Sequence, residues 1–296
     1  MNDRILWTAI ITPMKEDGSV HFSDLEHLLH RQENAGNGVL ILGSTGEGIS
    51  FSENEKKEIL TYVTSLDLKI PVMAGVGGFQ LDTQLRWIEY CNQLNIDSFL
   101  LVTPLYSKPG YHGQLNWFRS LLDKSEKRCM IYNIPSRTGV KLIPAVLKEI
   151  ENHPQFWSVK EASGSVEEYR QFRQTVPNIP LYSGDDGLLP QFAKEGCAGL
   201  VSVAGNVWPE ATHRYVEICL NGEMDTLEPV WKSAVQVLFS APNPVPAKRL
   251  LQKKAEISTD VLRPPLSAMD LPSIERAVES DLAITEWYQN NKDSFK

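Results

Sequence analysis

No apolar run in this chain approaches the roughly 18 residues that cross a bilayer, and no cluster of lysines and arginines is present to meet a nucleic-acid backbone. Over 296 residues, 29 basic against 37 acidic side chains leave a net charge of −8 at pH 7. That surplus repels phosphate polyanions. Cysteine is scarce: Cys91, Cys129, Cys197 and Cys219 lie far apart, with no CxxC pair and no disulfide framework. They read as small core residues in a reducing, cytoplasmic setting. The six histidines show no HExxH and no metal-ligand spacing; Gly75-Val76-Gly77-Gly78 lacks the third glycine of a dinucleotide fingerprint, and neither GxSxG nor a P-loop occurs. Asp185-Asp186, two adjacent carboxylates without histidine support, make a poor metal site. What remains is a protein expected to use small-molecule chemistry without metal or cofactor, and to bind neither nucleic acid nor membrane.

What the chain does have is short apolar runs bounded by Gly, Pro, Ser or Asp: Leu6–Thr12, Gly38–Leu42, Ile70–Gly75, Ser98–Thr103, Cys129–Ile134, Phe156–Ala162, Pro180–Gly184 and Gly199–Val203. Most are nearly continuous in Val, Ile and Leu, as parallel strands buried on both faces require. The stretch Ile5–Ile11 reads as the first strand and not as a targeting segment, being short and followed by no small-residue cleavage site. Between the runs lie polar segments with helical spacing. One is expected to start after Ser23 as N-cap, another after Ser52, with Glu55 in capping-box register. Strand-end positions recur 19 to 32 residues apart, one strand–helix unit per step. Eight such units predict a (β/α)8 TIM barrel over residues 1–224, with a doubly wound open sheet as the competing arrangement. Residues 225–296 lack strand signals and are expected to form a C-terminal helical appendage, broken at Pro242-Asn243-Pro244-Val245-Pro246 and at Pro264-Pro265.

In this fold the C-terminal strand ends carry the chemistry. Lys160 lies inside a short strand, where an unpaired ammonium is costly. The relief is a lowered pKa, which leaves a neutral amine able to attack a carbonyl. Neighbours on a strand face opposite ways, so Glu161 is a poor partner for Lys160. Tyr132, at the end of the preceding strand, places a phenol near that amine to exchange protons with a tetrahedral intermediate; core filling is its plain alternative. Arg137, in the loop that follows, offers a fork for bidentate capture of a carboxylate or, equally, a surface salt bridge. The loop Gly43-Ser44-Thr45-Gly46-Glu47-Gly48 combines glycines that permit close approach with hydroxyls and amides suited to an anion. Tyr106, after strand four, is a weak signal by itself.

In their order and spacing these segments, with Lys160-Glu161-Ala162-Ser163-Gly164, Ser183-Gly184-Asp185-Asp186 and Pro242-Asn243-Pro244-Val245-Pro246, resemble the dihydrodipicolinate synthases. That family lies in the N-acetylneuraminate lyase superfamily of class I aldolase barrels, and the resemblance runs over essentially the whole chain. It implies condensation of pyruvate with L-aspartate 4-semialdehyde through a Schiff base on Lys160. It implies a proton relay of Tyr132, Ser44 and Tyr106, the last from across a tight dimer interface. Thr45 would hold the pyruvate carboxylate, Arg137 that of the semialdehyde, and Gly184 and Val201 would line the pocket. A homotetramer built as a dimer of dimers is implied as well. Two departures stand out. The relay hydroxyl, normally threonine, is Ser44, as in sialic acid lyases and sugar-acid aldolases, so another pyruvate-dependent Schiff-base aldolase or dehydratase is the alternative; Arg137 argues for the synthase. The positions that grip the effector lysine in feedback-inhibited members appear here as Phe79, Thr83, Glu53 or Lys56, and Leu105, which implies weak or no inhibition. A keto-acid sensor without turnover would have no use for the Lys160–Tyr132–Arg137 set. A pyridoxal phosphate enzyme would need a phosphate cradle after strands seven and eight, and none is evident.

Overall fold

A computed structural model of the chain describes residues 4–223 and 228–292. Eight parallel strands form a closed barrel in sequence order. They are β1 (Leu6–Ala9), β2 (Gly38–Ile41), β3 (Val72–Val76), β4 (Ser98–Val102), β5 (Arg128–Asn133), β6 (Phe156–Glu161), β7 (Leu181–Ser183) and β8 (Gly199–Ser202). Because β1 pairs with both β2 and β8, the open-sheet arrangement is excluded. All eight expected strands are present; β1 ends at Ala9, three residues short of Thr12, and the other ends shift by two residues or fewer. β3 starts at Val72 rather than Ile70, just past Pro71, which has no N–H to give a ladder.

Helices α1 (Phe22–Asn34), α2 (Glu53–Ser65), α3 (Leu81–Asn92) and α4 (Tyr111–Lys124) follow the first four strands. β5 is followed by the four-residue α5 (Pro135–Thr138) and by α6 (Pro144–Ile150), and the last three strands by α7 (Val166–Thr175), α8 (Leu189–Lys194) and α9 (Pro209–Asn221). The Ser52–Glu55 capping box forms as expected. The cap of α1 does not: His21, not Ser23, occupies the N-cap, and its imidazole accepts from the Asp24 N–H. Ser23 is already inside the helix, with its hydroxyl turned to the same imidazole at 3.2 Å.

Strand residues alternate between two apolar layers. Val39, Ile41, Phe99, Ile131 and Val159 face the helices, while Trp7, Leu40, Met73, Leu100, Met130, Tyr182 and Val201 fill the barrel interior. Aromatic rings close the N-terminal end: Trp157 lies 6.0 Å from Trp7 and 5.7 Å from Tyr182, centroid to centroid. The Tyr182 hydroxyl donates to the Arg4 carbonyl at that same end. Among the described residues, the interior is therefore plugged at this end and opens towards the C-terminal strand ends.

Three more helices follow, α10 (Glu228–Leu238), α11 (Val245–Lys253) and α12 (Glu275–Asn291), separated at the two proline segments. Trp231 of α10 stacks on Tyr215 of α9 at 4.3 Å and meets Trp287 of α12 at 5.6 Å. These helices thus share the barrel's outer core. The expected boundary between residues 224 and 225 lies outside the described residues.

Candidate active site

β6 delivers Lys160 to the interior in register with Tyr132 of β5. The Lys160 Nζ stands 4.2 Å from the centre of the Tyr132 ring, and both side chains are buried. Burial pulls the lysine pKa from its ordinary 10.5 down to about 7; Asp186 acts the other way, and Arg137 adds to the depression. At pH 7 and above a large share of this amine is a free nucleophile. Burial also raises the Tyr132 pKa, which Arg137 offsets only in part. The phenol therefore stays protonated at neutral pH and can lend its proton.

Glu161 is not the partner of Lys160. It points to the opposite face, where it accepts from Asn133 Nδ2 and from the Ser163 N–H, both at 2.7 Å. Asp186 is a structural anchor. Its carboxylate accepts from the Ser202 hydroxyl and from the N–H groups of Val203, at 3.0 Å, and Ala204, at 3.3 Å. It thereby fixes the end of β8 beside Val201. No group of three or more His, Cys, Asp or Glu that could hold a metal is formed among the described residues.

A pocket of about 70 Å³ surrounds the amine, lined by Ser44, Thr45, Tyr132, Arg137, Gly184 and Val201 among others. Seven of the eight expected site residues, Lys160 included, thus converge there. Gly184 is demanded by the lysine itself: a Cβ at this position would sit 2.7 Å from Lys160 Cε and 2.7 Å from Ala162 Cβ. Thr45 is buried with its hydroxyl accepting from Asn243 Nδ2 at 2.9 Å. Arg137, on α5, reaches the mouth, where its guanidinium donates to the Asn243 carbonyl at 3.4 Å. Ser44, Arg137 and Asn243 also line a wider outer groove of about 930 Å³, so the small pocket opens into a larger vestibule.

Tyr106 is the residue the fold does not bring in. It lines the outer groove, 88% exposed, with φ at +63°. Asn243 is the residue that sequence reasoning missed. It is only 8% exposed, binds Thr45 and Arg137 together, and keeps its Oδ1 buried without a partner. Its flanking prolines were the available signal: they stiffen the backbone on either side of one polar side chain.

The site thus offers a neutral amine, a protonated phenol and anion-binding groups at the mouth. A 4-hydroxy-tetrahydrodipicolinate synthase from Francisella tularensis subsp. novicida is 46% identical over 291 residues, covering 98% of each chain. Among solved structures, the 4-hydroxy-tetrahydrodipicolinate synthase of Methylacidiphilum fumariolicum SolV superposes with a TM-score of 0.92 at 28% identity, over 98% of each chain. The dihydrodipicolinate synthase of Acinetobacter baumannii complexed with pyruvate does so with a TM-score of 0.88 at 26% identity, over 95% of this chain and 99% of that one. Residues 3–282 match the dihydrodipicolinate synthetase family, and the chain belongs to it.

Proposed function

We infer that the chain is a synthase that joins pyruvate to L-aspartate 4-semialdehyde and releases 4-hydroxy-tetrahydrodipicolinate. The observation that carries this reading is the Lys160 amine, buried beside Tyr132 in a pocket of about 70 Å³ that Ser44, Thr45 and Arg137 also line.

The neutral amine attacks the pyruvate C2 carbonyl, and the resulting carbinolamine loses water as Tyr132 supplies a proton. The protonated imine draws electrons from the methyl carbon, which gives up a proton to form an enamine. That carbon attacks the semialdehyde's aldehyde, forming the new C–C bond. The substrate's amino group then displaces Lys160 from the imine carbon, closing the ring and freeing the enzyme. Thr45 holds the pyruvate carboxylate, while Ser44 extends the proton path outward from Tyr132. Arg137, at the mouth, holds the carboxylate of the incoming semialdehyde; its fork suits that group.

Tyr106 enters the relay from a second copy of the chain. Its exposure, with Ile49 and Phe79 each 68% exposed, supports a homo-oligomer, here a dimer of dimers. The free, buried thiols of Cys91, Cys129, Cys197 and Cys219 fit a cytoplasmic location.

Borohydride reduction with pyruvate, followed by peptide mass spectrometry, tests the reading. A pyruvate adduct on Lys160 is expected, and an unlabelled Lys160 refutes it. A panel of aldehydes then separates the semialdehyde from sugar-acid and sialic acid substrates, the alternative that Ser44 favours.

A further inference from the structure

The turn after β2 carries Ser44 and Thr45, and two residues other than glycine hold it in the left-handed region: Leu42 at φ +59° and Glu47 at φ +54°. A Cβ crowds the following carbonyl in that conformation, so such residues persist only where their surroundings enforce them. The Glu47 N–H donates to the Ser44 carbonyl and the Gly48 N–H to the Gly43 carbonyl, each at 3.1 Å, closing the turn. The Glu47 carboxylate is buried. One oxygen lies 2.6 Å from Lys248 Nζ, and the other accepts from the Arg263 N–H at 2.8 Å.

Lys248, fully buried on α11, also donates to the Val261 carbonyl at 2.8 Å. Five residues before it, Asn243 donates to the Thr45 hydroxyl. The C-terminal segment therefore grips the turn at two points, its tip through Asn243 and its base through Lys248. Lys248 itself lines neither the small pocket nor the outer groove. A buried ion pair is a poor investment in stability alone, because desolvation of both charges offsets their attraction and apolar residues of similar volume often serve as well.

We propose that the Glu47–Lys248 ion pair is a positioning device that holds the Ser44–Thr45 turn so that Thr45 presents its hydroxyl and N–H to the substrate carboxylate beside Lys160. This rests on the functional reading given above. Glu47 and Lys248 are positioning residues and take no part in bond making.

The test uses the full-length enzyme with Lys248→Met and with the paired Glu47→Gln/Lys248→Met. The measurements are melting temperature, kcat, the KM for pyruvate, and borohydride labelling of Lys160 at saturating pyruvate. Lys248→Met is expected to raise the pyruvate KM at least tenfold while Lys160 is still labelled. The paired variant, with no uncompensated buried charge, is expected to regain the melting temperature but not the KM. A KM within twofold of wild type in either folded variant overturns the proposal. So does a KM that recovers together with the melting temperature, and so does failure of both variants to fold, which would make the pair a folding element. An unlabelled wild-type Lys160 is a separate result: it removes the functional reading, and this proposal falls with it.

Discussion

Replacing Lys160 with methionine should abolish turnover and yet leave the protein more stable. In the folded chain the amine titrates at about 7, chiefly through burial, against an ordinary 10.5. Unfolding returns it to the ordinary value. Between these limits the unfolded chain binds a proton that the folded chain does not, so stability rises with pH across the window. The cost is complete below pH 7 and gone above 10.5. Linkage puts it at about 3 kcal/mol at pH 8 and about 1 kcal/mol at pH 10. Methionine fills a similar volume without the charge. At about 2.1 cal/mol/K of unfolding entropy per residue, the gain at pH 8 amounts to a rise in Tm of about 5 °C. Urea titrations of both proteins at pH 8 and pH 10 give the two differences directly. In parallel, wild-type kcat/KM should fall about tenfold for each pH unit below 7, as the free amine disappears. A variant no more stable than wild type at pH 8, or a gain that is the same at both pH values, would refute the reasoning, because the amine would then be charged in the folded protein.

Tyr132→Phe should lower kcat by about 100-fold or more, the scale of one lost proton-transfer group, with little change in the pyruvate KM; steady-state kinetics decides this. Arg137→Ala should raise the KM for the semialdehyde at least tenfold and leave exchange of the pyruvate methyl protons with D₂O intact; loss of that exchange would place the arginine at the first step instead. Gly184→Ala should slow borohydride labelling of Lys160 at least tenfold, since the new methyl collides with Lys160 Cε and Ala162 Cβ, while circular dichroism shows a retained fold. Lysine should inhibit weakly or not at all, because Phe79 and Thr83 cannot replace an amide and a carboxylate at its charged ends; half-inhibition at submillimolar lysine would sink that expectation.

The strands were legible because burial on both faces leaves a continuous apolar signature, as in Val39–Ile41 and Phe99–Leu101, and their eightfold recurrence pointed to a barrel, although an open sheet would use the same strands. Lys160 was legible for the opposite reason, as a charge where the pattern asks for Val or Ile. Its pairing with Tyr132 followed from counting to the ends of adjacent strands. The contacts that stayed hidden join positions with no local pattern. Asn243 meets Thr45 and Lys248 meets Glu47 across about two hundred residues of sequence, and nothing near Glu47 announces a buried cation. Arg263, which clamps Glu55 and drives its pKa down to about 2, is equally remote. At short range, α1 starts two residues earlier than the serine suggested: His21 caps it by accepting from the Asp24 N–H, the third donor of the helix, which leaves Ser23 inside the first turn. Tyr106 could be counted to the correct loop, but its own chain gives it nothing to do in the pocket.

The unusual basicity of one side chain also makes the chain addressable by small electrophiles. Exposed lysines such as Lys69 and Lys141 are held above their ordinary pKa by Asp67 and Glu168, so acylating or carbamoylating reagents find them protonated and inert near neutrality. The amine on β6 titrates at about 7 and is largely free just above neutrality, in a pocket of about 70 Å³ behind the outer groove. A short, uncharged reagent should therefore modify this position ahead of the surface lysines, with the protein's own architecture supplying the selectivity that the reagent lacks.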